Sequence, residues 1–210
     1  MDLKTFKKFE QSGFIFESAS GFRLGVDIGN KTPIENLEGV ACDAMLVSHI
    51  HGDHFFPENI RKLSPKDLYL NDECRASLPE GALSCELKHI EAGTTFGIGD
   101  FKITAFTVDH GPNINPLKEN LGFLIEVDDK KIYFPGDMFY PSGIDTTALE
   151  VDLLLVPVGT HYTFGPQEAI DFVKTFKEAR IVVPMHFENK PETRDEFLEL
   201  ARKEGIPAQN

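Results

Sequence analysis

The sequence predicts a mixed fold of the α+β class in which strands outnumber helices. The apolar run at residues 44–47 ends abruptly at Ser48, and the largely apolar stretch at 151–156 leads into a segment that starts at Gly159; both patterns are typical of buried strands that lead into loops. Pro57 and Pro166 stand where the first turn of a helix would begin. Because no linker or low-complexity stretch interrupts the pattern, residues 1–210 are predicted to form a single domain.

The first half of the chain is predicted to supply strands with short helices between them. A short helix or an irregular lead-in is expected at residues 2–10, and the glycine-punctuated residues 79–100 indicate a hairpin. The remaining predicted elements are strands at 13–17, 22–27, 44–47 and 67–70 and helices at 57–63 and 72–77.

The second half is predicted to alternate longer strands with two helices. Residues 112–120 form a loop rich in Pro and Asn, long enough to be a lid or wall of a substrate site. The predicted elements here are strands at 101–108, 121–127, 131–134, 151–156 and 181–183, a helix starting at Pro166 and a helix at 192–203.

The charge and composition narrow the classes of partner. A net charge of −13 repels polyanions at long range, which disfavours a nucleic-acid partner. No run of about 18 apolar residues is present, so no membrane span is predicted. The composition leaves the oligomeric state, including a homo-oligomer, undetermined.

The cysteines and the N-terminus indicate a cytoplasmic protein. Cys42, Cys74 and Cys85 are odd in number and widely spaced, so they predict neither a disulfide framework nor a C-x-x-C metal clip. Residues 1–8 lack the apolar segment of a secretory signal. A reducing cytosol is therefore the expected compartment, with each cysteine a small buried apolar residue.

One stretch concentrates metal-ligand residues directly after the apolar run at 44–47. His49, His51, Asp53 and His54 fall within six positions of a predicted loop. Imidazole and carboxylate groups together suit zinc, iron and manganese. The spacing predicts that His49 and His51 reach one centre while Asp53 and His54 turn toward a second.

Three further ligand-type residues each follow a predicted strand. They are His110, Asp137 and His186. If these strand ends share one edge of the fold, the side chains converge on the 49–54 loop. His89 has no ligand-type neighbours and is predicted not to bind metal.

The order and spacing of these residues resemble the metallo-β-lactamase superfamily, from about residue 11 to residue 187. Four further segments look like the branch that includes ascorbate-6-phosphate lactonase: Gln11-Ser12-Gly13-Phe14, Phe134-Pro135-Gly136-Asp137, residues 158–166 and Val183-Pro184-Met185-His186-Phe187. The resemblance implies the metallo-β-lactamase fold, a four-layer αββα sandwich of two sheets with helices outside.

Carried over residue by residue, the resemblance implies two divalent metal ions. Zinc is the first expectation, with manganese or iron as alternatives. Asp27 is implied to support the metal loop from behind, although a simple turn residue would also explain it. The implied ligands are His49, His51 and His110 for the first metal, Asp53, His54 and His186 for the second, and Asp137 as the bridge.

The resemblance also implies a hydrolase acting on a small, anionic ester, either a lactone or a phosphodiester. Two nearby divalent cations lower the pKa of a shared water, so that a metal-bridging hydroxide is available near neutral pH. Asp53 would orient it and carry its proton to the leaving group. His161 and Tyr162, between a buried strand and a Pro-started helix, are candidate substrate contacts, with a purely structural loop as the alternative.

Two other functional classes remain as alternatives: an iron-dependent oxidoreductase of the same fold and a metal-binding scaffold. Flavodiiron-type members of the superfamily carry glutamate where this chain has His51. Persulfide-oxidising members keep a single iron, whereas His54 and His186 are both present here. Scaffold members have usually lost ligands, and none is lost in this chain.

Overall fold

Two six-stranded sheets pack face to face with helices on both outer sides. The computed structural model describes residues 6–112 and 117–210. The α+β class and the four-layer αββα arrangement are therefore confirmed. Residues 113–116 of the predicted 112–120 loop lie outside the described residues.

The first sheet is built in chain order from the N-terminal half. Its strands are β1 (Phe6–Lys8), β2 (Phe14–Glu17), β3 (Arg23–Val26), β4 (Ala44–Leu46), β5 (Asp67–Leu70) and β6 (Glu86–His89). The first three pair antiparallel, and β3 to β6 pair parallel. The parallel strands therefore place their carboxyl ends along one edge.

The second sheet has the order β14-β12-β10-β9-β8-β7. Its strands are β7 (Thr95–Ile98), β8 (Phe101–Thr107), β9 (Leu121–Val127), β10 (Lys130–Phe134), β12 (Leu153–Pro157) and β14 (Val182–Met185), while β11 (Glu150–Val151) and β13 (Glu178–Ala179) form a separate pair. Because β10, β12 and β14 are parallel and β9 is antiparallel to both β8 and β10, strands β8, β10, β12 and β14 all run the same way.

Three apolar layers hold the sandwich together. Between the sheets, the rings of Phe14 and Phe134 form a T-shaped pair with centroids 6.2 Å apart, and both side chains are fully buried. The outer face of the first sheet is covered by a 3-10 helix (Ile34–Leu37), α1 (Pro57–Leu63) and α2 (Asp72–Ser77). The outer face of the second is covered by α3 (Pro166–Val173) and α4 (Pro191–Lys203).

Two sequence predictions were wrong in the first half of the chain. The helix or irregular lead-in at 2–10 is replaced at Phe6–Lys8 by an edge strand, because backbone pairing with β2 satisfies its hydrogen bonds. The hairpin at 79–100 does not form, because β6 extends the first sheet beside β5 and β7 joins the second beside β8.

The three cysteines are free, with Cys42 and Cys74 buried and Cys85 partly buried.

Within the described ranges, none of the helices has both the length and the apolarity that crossing a bilayer demands.

Candidate metal centre

The strand ends bring the predicted ligands to one edge of the sandwich. In the first sheet the carboxyl end of β4 leads into the 48–54 loop, and in the second sheet β8, β10 and β14 lead into the remaining ligands. The seven predicted metal ligands that meet there are His49, His51, Asp53, His54, His110, Asp137 and His186.

A first group consists of His49, His51, His110 and Asp137, whose ligand atoms all lie within 4.8 Å of one another. His49 Nε2 is 3.0 Å from His51 Nδ1. Oδ2 of Asp137 is 3.4 Å from His110 Nε2 and 4.0 Å from His49 Nε2. A tetrahedral ion with bonds of about 2.0–2.1 Å separates its ligand atoms by roughly 3.3 Å, so these spacings suit one ion.

A second group consists of Asp53, His54 and His186, with ligand atoms again within 4.8 Å of one another. Asp53 Oδ2 is 3.4 Å from His186 Nε2 and 3.9 Å from His54 Nε2. The Asp137 carboxylate borders this group too, because Oδ1 is 3.1 Å from His54 Nε2 and Oδ2 is 3.0 Å from His186 Nε2. Asp137 therefore lies between the two groups.

Several ligand atoms in these groups are buried without a hydrogen-bond partner among the described residues. They include both ring nitrogens of His110, together with Nε2 of His54 and Oδ1 of Asp137, which lie 3.1 Å apart without hydrogen-bond geometry. Burying polar atoms in this way opposes folding unless another group satisfies them. Nitrogen and carboxylate atoms left free at these spacings fit a pair of divalent cations.

Asp27 is hydrogen-bonded to two residues of the 48–54 loop. It is fully buried, and its carboxylate accepts hydrogen bonds from the Ser48 amide at 2.8 Å and from the Ser48 hydroxyl. Its Oδ2 also lies 2.8 Å from His54 Nδ1, which leaves His54 Nε2 to face the ligand groups. This is the arrangement by which a carboxylate orients a metal-binding imidazole.

Close backbone contacts hold the ligand loops in place. A Cβ at Gly159 would lie 2.3 Å from the carbonyl oxygen of His186, and one at Gly29 would lie 2.0 Å from the carbonyl carbon of Asp53. His186 itself has a φ of 60°, a left-handed conformation rare for non-glycine residues. Gly52 has an ordinary φ, and its lack of a side chain instead makes room for the Asn30 amide, 2.9 Å from where its Cβ would be.

The pKa values of Asp137, His186 and His54 are all shifted by their mutual interactions. Burial opposes ionisation of Asp137, but His186 and His54 outweigh it and hold the pKa of Asp137 well below its usual value. Burial also opposes a charge on His186, yet Asp137 raises its pKa to about 9. The pKa of His54 is likewise raised, by Asp137, Asp53 and Asp27 against the effect of burial.

In the first group, by contrast, the pKa values of the three histidines are lowered. Burial lowers the pKa of His49 well below its ordinary value, and the neighbouring His54 adds to the effect. Burial lowers the pKa of His51 and of His110 as well. These rings are therefore neutral near pH 7, which is the form that binds a metal.

His161 and Tyr162 lie on the surface rather than in the ligand cluster. Tyr162 is 43% exposed, and the two rings contact each other with centroids 4.4 Å apart. Within residues 6–112 and 117–210 neither side chain is hydrogen-bonded to the predicted ligands. Their segment begins at Gly159, which packs on His186.

Sequence reasoning assigned no role to two buried carboxamides at the site. Asn120 donates to the carbonyl oxygens of Asp137 at 2.9 Å and of Val108 at 3.3 Å. Gln11 donates to Asp53 Oδ2 at 2.9 Å. The motif that begins at Gln11 was the available clue for the second of these.

Comparison with known proteins places this arrangement in a family. The sequence profile of the β-lactamase superfamily domain matches residues 5–186. A UPF0173 metal-dependent hydrolase of Pelotomaculum thermopropionicum is 31% identical over 196 residues, covering 86% of this chain and 82% of that protein.

Solved structures share the fold at lower identity. A novel metallo hydrolase from the hyperthermophilic archaeon Ignicoccus hospitalis aligns with a TM-score of 0.77 at 22% identity, over 97% of this chain and 93% of its own. CmlA, a diiron β-hydroxylase from Streptomyces venezuelae, aligns with a TM-score of 0.69 at 13% identity, over 97% of this chain and 52% of its own.

Proposed function

Because the chain belongs to the metallo-β-lactamase superfamily, we propose that it is a metal-dependent hydrolase with a dinuclear centre. The observation that carries the proposal is the Asp137 carboxylate, which lies between the two ligand groups. The proposed ligands are His49, His51 and His110 for the first metal, Asp53, His54 and His186 for the second, and Asp137 as the bridge.

When bound, two divalent cations would lower the pKa of a shared water and polarise the electrophilic oxygen of an ester. In this proposal Asp53 is the residue that transfers the proton. Its side chain is 22% exposed, so solvent and substrate can reach it. Burial opposes its ionisation, but His54 and His186 together outweigh burial and hold the pKa of Asp53 well below its usual value. The ionised carboxylate can orient the attacking water and pass its proton to the leaving group.

The proposed substrate is a small anionic ester, either a lactone or a phosphodiester, as for the ascorbate-6-phosphate lactonase-like branch. The surface loop with His161 and Tyr162 supports this, because it runs from Gly159 beside His186 to the N-terminus of α3 at Pro166. Backbone N–H groups at a helix N-terminus favour an anion. His161 and Tyr162 are the proposed substrate contacts.

A diiron oxygenase is the second candidate, since the fold is shared with a diiron β-hydroxylase. The Pelotomaculum thermopropionicum protein is more similar in sequence than CmlA is, and it is named a metal-dependent hydrolase, which favours hydrolysis. Oxygen consumption by the iron-loaded protein with a reductant separates the two, because hydrolysis uses no oxygen.

The experiment is elemental analysis of the purified protein, coupled to a screen of lactones and phosphodiesters with added Zn²⁺, Mn²⁺ or Fe²⁺. We expect two metals per chain and turnover of at least one ester class. Fewer than about 0.5 metals per chain, with no activity on adding any of these ions, would contradict the proposal in favour of a scaffold.

A further inference from the structure

Gln11 occupies the turn between β1 and β2 and reaches into the ligand cluster. It is fully buried, with a φ of 58° in the left-handed region. Its side-chain nitrogen donates to Asp53 Oδ2 at 2.9 Å and lies 3.2 Å from His186 Nε2. Its carbonyl oxygen accepts the backbone N–H of His186 at 3.0 Å.

These contacts join the two sheets at the site. Asp53 belongs to the loop after β4 of the first sheet, whereas His186 follows β14 of the second. Gln11 therefore holds one ligand from each sheet, and both belong to the same proposed metal.

The hydrogen bond to Asp53 fixes the orientation of the Gln11 amide. With the amide turned over, its oxygen would lie against the Asp53 carboxylate, so repulsion sets the observed orientation. The N–H donation to Asp53 Oδ2 fixes the position of that carboxylate. The same side-chain nitrogen lies 3.2 Å from His186 Nε2, so one amide spans two candidate ligands of the second group.

Glutamine is also energetically unfavourable for folding at position 11. Its Oε1 is buried without a hydrogen-bond partner among the described residues, and its left-handed backbone is unfavourable for a residue with a side chain. Both features oppose folding, so stability alone does not account for a glutamine here.

We propose that Gln11 is a positioning residue that holds Asp53 and His186 at the spacing required by the second metal. This inference rests on the proposed dinuclear centre. It predicts that removing the amide weakens binding of the second metal selectively, because among the described residues Gln11 has no hydrogen bond to His49, His51 or His110.

The test compares Gln11→Met, which keeps the side-chain volume and removes the amide, with Ser12→Ala. Ser12 is a matched control because it is adjacent, fully buried, and has a hydroxyl without a described partner. Zn²⁺ affinity and stoichiometry are measured by chelator competition and elemental analysis. We expect the second metal to bind about 10- to 100-fold more weakly in Gln11→Met, with the first metal unchanged and Ser12→Ala like wild type.

Acid-induced metal loss gives a second readout. In Gln11→Met the second metal should dissociate at a higher pH than in wild type, because protons compete more effectively for a site that binds its metal more weakly. If Gln11→Met does not fold, Gln11→Asn replaces it, since asparagine tolerates a left-handed backbone but is one methylene shorter.

Three results would overturn the inference. The variant could keep wild-type affinity for both metals, or lose both metals equally, which would indicate a structural role. A wild-type protein that binds fewer than two metals would remove the dinuclear proposal, and this inference with it.

Discussion

Nδ1 of His54 lies 2.8 Å from Oδ2 of Asp27, and neither side chain is exposed to solvent. The contact orients an imidazole whose other nitrogen has no hydrogen-bond partner among the described residues. The behaviour of the second metal should therefore depend on Asp27, which is itself outside both proposed ligand groups.

Asp27→Asn tests this dependence. An amide has one acceptor oxygen for the Ser48 and His54 donors, so the ring of His54 loses its fixed orientation. We expect second-metal affinity to fall about 10- to 100-fold, measured by chelator competition. Asp43→Asn is the control, because Asp43 also accepts a backbone N–H, from Arg23 at 2.7 Å, but is exposed. Equal affinity in both variants would contradict the prediction.

His51→Ala should abolish turnover without unfolding the protein. His51 is only half-buried, so its removal leaves no enclosed cavity, but the first metal loses one of its proposed ligands. Activity and the thermal midpoint are the measurements. His89→Ala is the control, since His89 is 40% exposed and pairs with Asp72 at 3.0 Å. Retained turnover in His51→Ala would mean that the catalytic site lies elsewhere.

Gly159→Ala should destabilise the site through its backbone. The added Cβ would lie 2.3 Å from the His186 carbonyl oxygen and 2.8 Å from its Nδ1, so the ligand has to move. We expect a loss of about 1–3 kcal/mol in the free energy of unfolding, together with weaker metal binding. At Gly97 the nearest atom to an added Cβ is 3.9 Å away, so Gly97→Ala should retain normal metal binding.

The raised pKa of His186 predicts how pH affects the metal-free protein. Its ordinary pKa is 6.5 and Asp137 raises it to about 9, although burial alone would lower it. The folded state therefore binds the proton more tightly than the unfolded state. The stabilisation is complete below pH 6.5 and is lost as the pH rises through about 9.

Chelator-treated wild type and His186→Asn can be compared by denaturant unfolding at pH 6 and pH 10. The stability difference attributable to the charged ring should be larger at pH 6. Metal binding displaces the same proton, so the affinity of the wild type for Zn²⁺ should rise between pH 6.5 and 9. A stability difference that grows toward pH 10 would contradict the assignment.

The convergence of the seven candidate ligands could be predicted from the sequence because each of them has a local clue. His49, His51, Asp53 and His54 are close in the chain, and His110, Asp137 and His186 each follow an apolar strand. The strands themselves were recognisable from apolar runs. The layering came from the family resemblance, since apolar periodicity does not say which strands share a sheet.

The features that sequence reasoning missed depend on contacts between distant segments. The edge strand β1 has three residues, too few for an alternating pattern, and forms because β2 lies beside it. Gln11 has no usual role as a metal ligand, and its neighbours Asp53 and His186 are 42 and 175 residues away. For the same reason the sequence does not predict that β6 and β7 belong to different sheets. Their placement depends on the strands with which each of them pairs.

The interlayer ring pair Phe14–Phe134 is three residues from Gln11 at one end and three from Asp137 at the other. Because the candidate ligand atoms come from both sheets, any sliding of one sheet over the other would change the distances between them. The aromatic rings packed between the sheets resist such sliding, so removing these rings should change the spacing of the candidate ligands without altering any of the ligands themselves.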